Sequence, residues 1–189
     1  MSIVKEYTLA GTFYPEDPVE LEREIKGFLA DVYLNHPVPK AIIAPHAGLS
    51  CSGIVAASAY ACLVKAKEKI KRVILLGPAH RYPFCGVGVT EANYYATPLG
   101  DIPIDCHAMG RILSFPQIQV VEQAYYQENS IELQLPFLQI ILDDFKLIPL
   151  LTGDCSPEGV AEILEVLWGD EATLIVVSSD LSHYADYVT

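Results

Sequence analysis

Short runs of consecutive apolar residues recur along the chain, and stretches with helical spacing separate them. Ala41 to Ala44, Val73 to Leu76, Lys146 to Leu151 and Ala172 to Ser178 are the runs. Uninterrupted β-branched and aliphatic stretches of this length are what parallel strands buried on both faces look like. Between them, Asp17-Pro18 opens a helix to about Asn35 that carries Leu21, Ile25, Phe28, Leu29 and Val32 on one face, and His36, Pro37 and Pro39 stop it. The Gly48 to Gly53 turn leads into an Ala-rich helix from about Ile54 to Lys67. Cys106 to Ser114 reads as helix, Ile118 to Glu122 as a short strand, and Ser130 to Leu142 as a helix kinked or restarted at Pro136, whose ring nitrogen has no proton to donate. Ser156-Pro157-Glu158 starts a last helix that runs to about Trp168. From Tyr82 to Asp105, glycines and prolines with alternation at Val87 and Val89 suggest a hairpin-like excursion. The expected fold is α/β, a mostly parallel central sheet flanked by helices. With no repeat, low-complexity tract or linker in the way, residues 1–189 form one expected domain.

Composition narrows the partners. The formal charge is -12, from 24 acids against 12 bases, and such a surface repels phosphate backbones, which argues against nucleic acid. The five cysteines are scattered, with no Cys-x-x-Cys pair, so neither a disulfide framework nor a zinc knuckle is expected. Met1 to Tyr14 has no long apolar stretch, which argues against a signal peptide or membrane span there. A reducing cytoplasm is the expected compartment.

Candidate chemistry lies just past the strand runs. His46, His80 and His183 each follow one, and open α/β sheets hold ligands beyond the carboxyl ends of their strands. Neutral imidazole is a common ligand for zinc, iron and copper, so His46 and His80 could hold a metal; a structural role for either is equally physical. Asp180 stands three residues before His183 and could orient its ring for acid/base work, or Ser179 or Asp180 could cap a helix containing it. The segment Glu128-Asn129-Ser130-Ile131-Glu132 is helix-start chemistry, yet so dense a polar cluster could also place Asn129 and Glu132 on a cleft wall.

Taken together, Ala10-Gly11-Thr12-Phe13-Tyr14-Pro15, Pro45-His46-Ala47-Gly48 with Ser52-Gly53, Gly77-Pro78-Ala79-His80, Thr97-Pro98-Leu99-Gly100, Glu128 to Glu132 with Gln134-Leu135-Pro136, and Ser178 to His183 occur in family order over nearly the whole chain. The sequence resembles the Memo family, also called component B of the AmmeMemoRadiSam system, whose fold is similar to the class III (LigB-type) extradiol dioxygenases. The resemblance implies that His46 and His80 bind a redox-active metal, iron or copper, and that His183 lines the pocket and serves as acid/base in the dioxygenases. It also implies a third ligand, a cysteine from a later segment with no counterpart in these residues, so the chain reads as truncated at its C-terminus. Two positions depart from the pattern: Arg81 stands where tandem histidines are usual, and Asn129 where a histidine usually follows the glutamate. Cys51, five residues after His46, is the nearest thiol in sequence.

Three functional readings remain open at this stage. One is an iron- or copper-dependent oxidoreductase related to the dioxygenases. Another is a non-catalytic protein that keeps the cleft to bind a small molecule or a protein. The third is a metal-independent hydrolase using His183 and Asp180, against which stands the lack of a Gly-x-Ser-x-Gly elbow. A sheet without its later strands would expose an edge and an apolar face, so self-association or pairing with a separately supplied C-terminal piece is expected.

Overall fold

The computed structural model of the protein describes residues 2–30, 32 and 37–181. Nine strands are assigned among them: β1 (Val4–Lys5), β2 (Ala41–Ala44), β3 (Arg72–Pro78), β4 (Val87–Val89), β5 (Tyr94–Tyr95), β6 (Ile102–Pro103), β7 (Ile118–Val120), β8 (Lys146–Thr152) and β9 (Thr173–Ser178). The helices are α1 (Pro18–Ala30), α2 (Leu49–Tyr60), α3 (Cys106–Gly110), α4 (Asn129–Glu132), α5 (Leu135–Ile141) and α6 (Pro157–Leu167).

Six strands form the central sheet in the order β2-β9-β3-β8-β4-β7. The first four run parallel, as their continuous apolar runs predict, and β4 joins β8 antiparallel with β7 parallel to β4. Val73, Ile74 and Leu75 of β3, Leu147, Ile148, Leu150 and Leu151 of β8, and Leu174, Ile175 and Val176 of β9 are buried. Each such side chain contributes about 1.5–3 kcal/mol through burial, which makes the middle of the sheet its anchor. In the small second sheet, β1 pairs parallel with β5, and β5 antiparallel with β6. The excursion between Tyr82 and Asp105 therefore divides: Val87–Val89 extends the central sheet, and only the β5–β6 pair is hairpin-like.

Several boundaries differ from expectation. Helix α2 begins at Leu49 rather than near Ile54, since the Leu49 amide bonds to the Phe13 carbonyl at 2.9 Å and the helix starts straight after Gly48; a 3-10 turn, Ala61–Ala66, continues it. Helix α1 is described as far as Ala30, and the expected end near Asn35 falls among residues 31 and 33–36, which lie outside the described ones. Helix α3 spans only Cys106–Gly110. Strand β7 stops at Val120, where the expectation ran to Glu122; that residue instead opens a 3-10 turn and accepts bonds from Thr90 Oγ1. Pro136 splits the next helical stretch as expected, into α4 and α5, with the proline in the first turn of the second. The segment Leu49–Ala66 is long and apolar enough on composition alone to cross a membrane, yet Leu49, Ala56, Ala57, Tyr60, Leu63 and Ala66 are buried in the core.

Candidate functional site

Strand order brings two of the three candidate histidines together. Strand β9 lies between β2 and β3, so the segments leaving the carboxyl ends of β2 and β3 flank the end of β9. His46, two residues past β2, places Nδ1 2.9 Å from Ser178 Oγ, the last residue of β9. Asp180 then turns back over it: Oδ1 accepts the His46 amide at 2.7 Å, and Oδ2 lies 3.7 Å from His46 Nε2. His80, two residues past β3, sets its ring edge-to-face against that of His46, with centroids 5.1 Å apart and planes at 67°. The two rings differ in access: the His46 side chain is 2% exposed and that of His80 37%.

A residue outside the expected set holds His80. Glu128 is fully buried and accepts from the His80 amide at 2.7 Å and from Nδ1 at 2.8 Å. The same carboxylate caps α4 by accepting from the Ser130 amide at 3.0 Å. Glu128 thus both starts α4 and holds His80. What brings Glu128 to His80 is a close approach of α4 to β3. Ser130 Oγ donates to the Pro78 carbonyl at 2.7 Å, and a Cβ on Gly77 would lie 2.7 Å from that oxygen, so only glycine fits. Gln127, just before the buried Glu128, has φ 54, a left-handed conformation that costs a non-glycine residue energy. The acid itself was visible in the sequence, but its contact with His80 depends on two elements that are 48 residues apart.

The other expected site residues are placed variously. Asn129 donates from Nδ2 to the His46 carbonyl at 2.9 Å, so it steadies the loop on which His46 rides. Glu132, expected on the cleft wall, is fully buried with both oxygens engaged by the N-terminal segment: the amides of Thr8 and Leu9, Thr8 Oγ1 and Tyr14 Oη all donate to it. Ser179 Oγ accepts the Leu181 amide at 3.1 Å and shapes the turn that carries Asp180. Its expected role as a helix cap and the whole of His183 fall on a segment outside the described residues, 182–189. Cys51 is exposed on α2, and Arg81 is exposed beside His80. Among the described residues no group of three or more His, Cys, Asp or Glu side chains has metal-holding geometry. The donors at hand are the imidazoles of His46 and His80, with the Asp180 carboxylate beside the first.

The family described as Memo-like protein matches residues 5–188. A MEMO1 family protein of Aquifex aeolicus is 36% identical over 185 residues, covering 96% of this chain and 68% of its own. One from Thermotoga neapolitana is 32% identical over 204 residues, covering 99% of this chain and 73% of its own. Protein MEMO1 of Mus musculus is 30% identical over 190 residues, covering 96% of this chain and 63% of its own length. A family match over nearly the whole chain, with relatives at 30–36% identity, assigns the protein: it belongs to the Memo family.

Proposed function

We propose that the cleft binds a redox-active metal, iron or copper, through His46 and His80, and that the protein carries out a redox reaction related to that of the dioxygenases on a small molecule in the cytoplasm. The observation that carries this reading is the buried carboxylate behind His80. Both Glu128 oxygens already accept from backbone amides, so the carboxylate accepts from His80 Nδ1–H as well, which leaves the Nε2 lone pair for a ligand. A carboxylate-histidine pair of this kind recurs behind metal sites, where it fixes the ring and raises its basicity. When bound, such a metal supplies one-electron chemistry and open positions for oxygen or substrate.

The chain's own part is to hold the rings. Asn129 and Asp180 fix the His46 backbone from its two sides, and Glu128 fixes both the amide and the ring of His80. Asp180, next to His46 Nε2, is the carboxylate best placed to balance positive charge there. A second reading, a binding protein that keeps the cleft without turnover, is favoured by one observation: two imidazoles are one donor short of a facial set among the described residues.

Loading metal-free protein with Fe(II) or Cu(I) and measuring bound metal, with anomalous scattering to place it, tests the first reading. About one metal per chain next to both imidazoles, lost in His80→Ala, is expected. Stoichiometric binding of neither metal, with partner or ligand binding intact, overturns it in favour of the second.

A further inference from the structure

We infer that the fold holds the two cleft imidazoles in opposite tautomers, with Ser178 the positioning residue for His46 and Glu128 for His80. The functional weight of this inference rests on the metal-site reading above; the proton positions themselves do not. Gln134 is 1% exposed. Its Nε2 lies 2.9 Å from the Pro45 carbonyl, and an amide oxygen turned there would face another oxygen at that distance. The amide is therefore fixed with its NH2 towards Pro45. Its Oε1 then accepts from the buried Tyr60 hydroxyl at 2.7 Å, and its second N–H donates to Ser178 Oγ at 2.9 Å.

Ser178 is 2% exposed, and its hydroxyl has one proton to place. Its side-chain partners among the described residues are Gln134 Nε2, which donates, and His46 Nδ1. The hydroxyl satisfies its proton by donating to Nδ1, since a buried donor left unmade is costly. Nδ1 of His46 therefore presents a lone pair, and the neutral ring carries its proton on Nε2, on the side of Asp180 Oδ2. At His80 the order is reversed: Nδ1 keeps its proton and donates it to Glu128, and Nε2 holds the lone pair.

In the metal-free protein the two rings thus differ, with the proton on Nε2 of His46 and the lone pair on Nε2 of His80. To give Nε2 to a metal, His46 must shift its proton to Nδ1, with no net proton lost. Ser178 must then turn its hydroxyl away from its acceptor. Its hydroxyl is accordingly a brake on metal loading, while Glu128 favours it.

The test uses 15N-labelled, metal-free protein and two-bond 1H–15N correlation, which separates protonated from unprotonated ring nitrogens. At a pH where both rings are neutral, the expected pattern is a proton on Nε2 of His46 and on Nδ1 of His80. Ser178→Thr, which keeps a hydroxyl, should preserve the His46 pattern, and Ser178→Ala should mix it. Glu128→Gln, whose amide can offer an N–H, should move the His80 proton towards Nε2. The same tautomer in both rings of the parent protein, a reading that does not depend on any variant folding, overturns the inference. So does an unchanged His46 pattern in folded Ser178→Ala. Anaerobic Fe(II) titration is the second readout, with Ser178→Ala expected to bind about tenfold tighter than the parent; weaker binding in that variant contradicts the brake. If neither protein binds Fe(II) or Cu(I), the metal reading falls and the tautomer pattern is judged on the spectra alone.

Discussion

Glu128 and Glu132 stand one helical turn apart, both with no exposed surface, and do unrelated work. The first faces His80 and the second faces the N-terminal segment. Glu132 Oε1 accepts from the Leu9 amide and from Tyr14 Oη, both at 2.7 Å, and each oxygen accepts from the Thr8 amide at 3.0 Å. Glu132→Ala would strip the acceptor from all these donors at once, in a place water does not easily reach. A loss of about 3–5 kcal/mol is expected, as for a buried charged partner removed from its network. Urea unfolding measures it, and metal stoichiometry at the cleft should be unchanged under conditions where the variant is folded. A loss below about 1 kcal/mol would mean that the N-terminal segment is held by something other than this carboxylate.

At the scale of elements, the cleft depends on how closely α4 lies on the end of β3. Gly77 allows that approach, and the atoms its missing Cβ would meet are Ser130 Oγ at 2.7 Å and Ser130 Cβ at 2.9 Å. Since a serine Cβ cannot swing aside, Gly77→Ala must push the start of α4, and Glu128 with it, away from His80. A cost of about 1–3 kcal/mol is expected, typical of overpacking, together with a loosened His80 tautomer in the 15N spectrum. Gly110→Ala is the matched control, because nothing lies within 4 Å of a Cβ there and alanine favours the helix. Equal melting temperatures for the two variants would refute the clamp. The same elements show what the sequence makes legible. The β2, β3, β8 and β9 runs could be read because a strand buried on both faces writes its burial into consecutive residues. So could the strand-end positions of His46 and His80, which follow from those runs. Strands β5 and β6 pair locally inside the hairpin-like excursion that the sequence suggested, whereas the two-residue strand β1 could not be read, since its partner β5 lies far along the chain. Nor could the Glu128–His80 contact, for it depends on a glycine in one element meeting a serine in another.

Across the whole molecule, four buried tyrosines tie the layers together, and their phenols set a limit at high pH. Tyr60 of α2 donates to Gln134, and Tyr125 donates to the carbonyls of Gly88 in β4 and Pro149 in β8. Tyr14 donates to Glu132, and Tyr95 lies wholly buried in β5. Burial raises the pKa of all four above the ordinary phenol value, with the Glu132 charge adding to it at Tyr14 and Tyr95 and the Glu122 charge at Tyr125. Below the unfolded-state value of about 10 the phenols are neutral in both states, so the fold loses nothing. Above it the unfolded chain releases protons that the folded one retains, and stability falls as pH rises towards the folded values. Each phenol costs about 1.4 kcal/mol per pH unit in that window, or about 5–6 kcal/mol per unit for the four together. Against a typical domain stability of about 5–15 kcal/mol, that slope brings cooperative unfolding within about one to three units above pH 10. Tyrosinate absorbance and far-UV circular dichroism, followed together through an alkaline titration, should therefore move as one transition for this buried set. Complete ionisation of the tyrosines with the circular dichroism unchanged would show that these four phenols are not locked into the folded state.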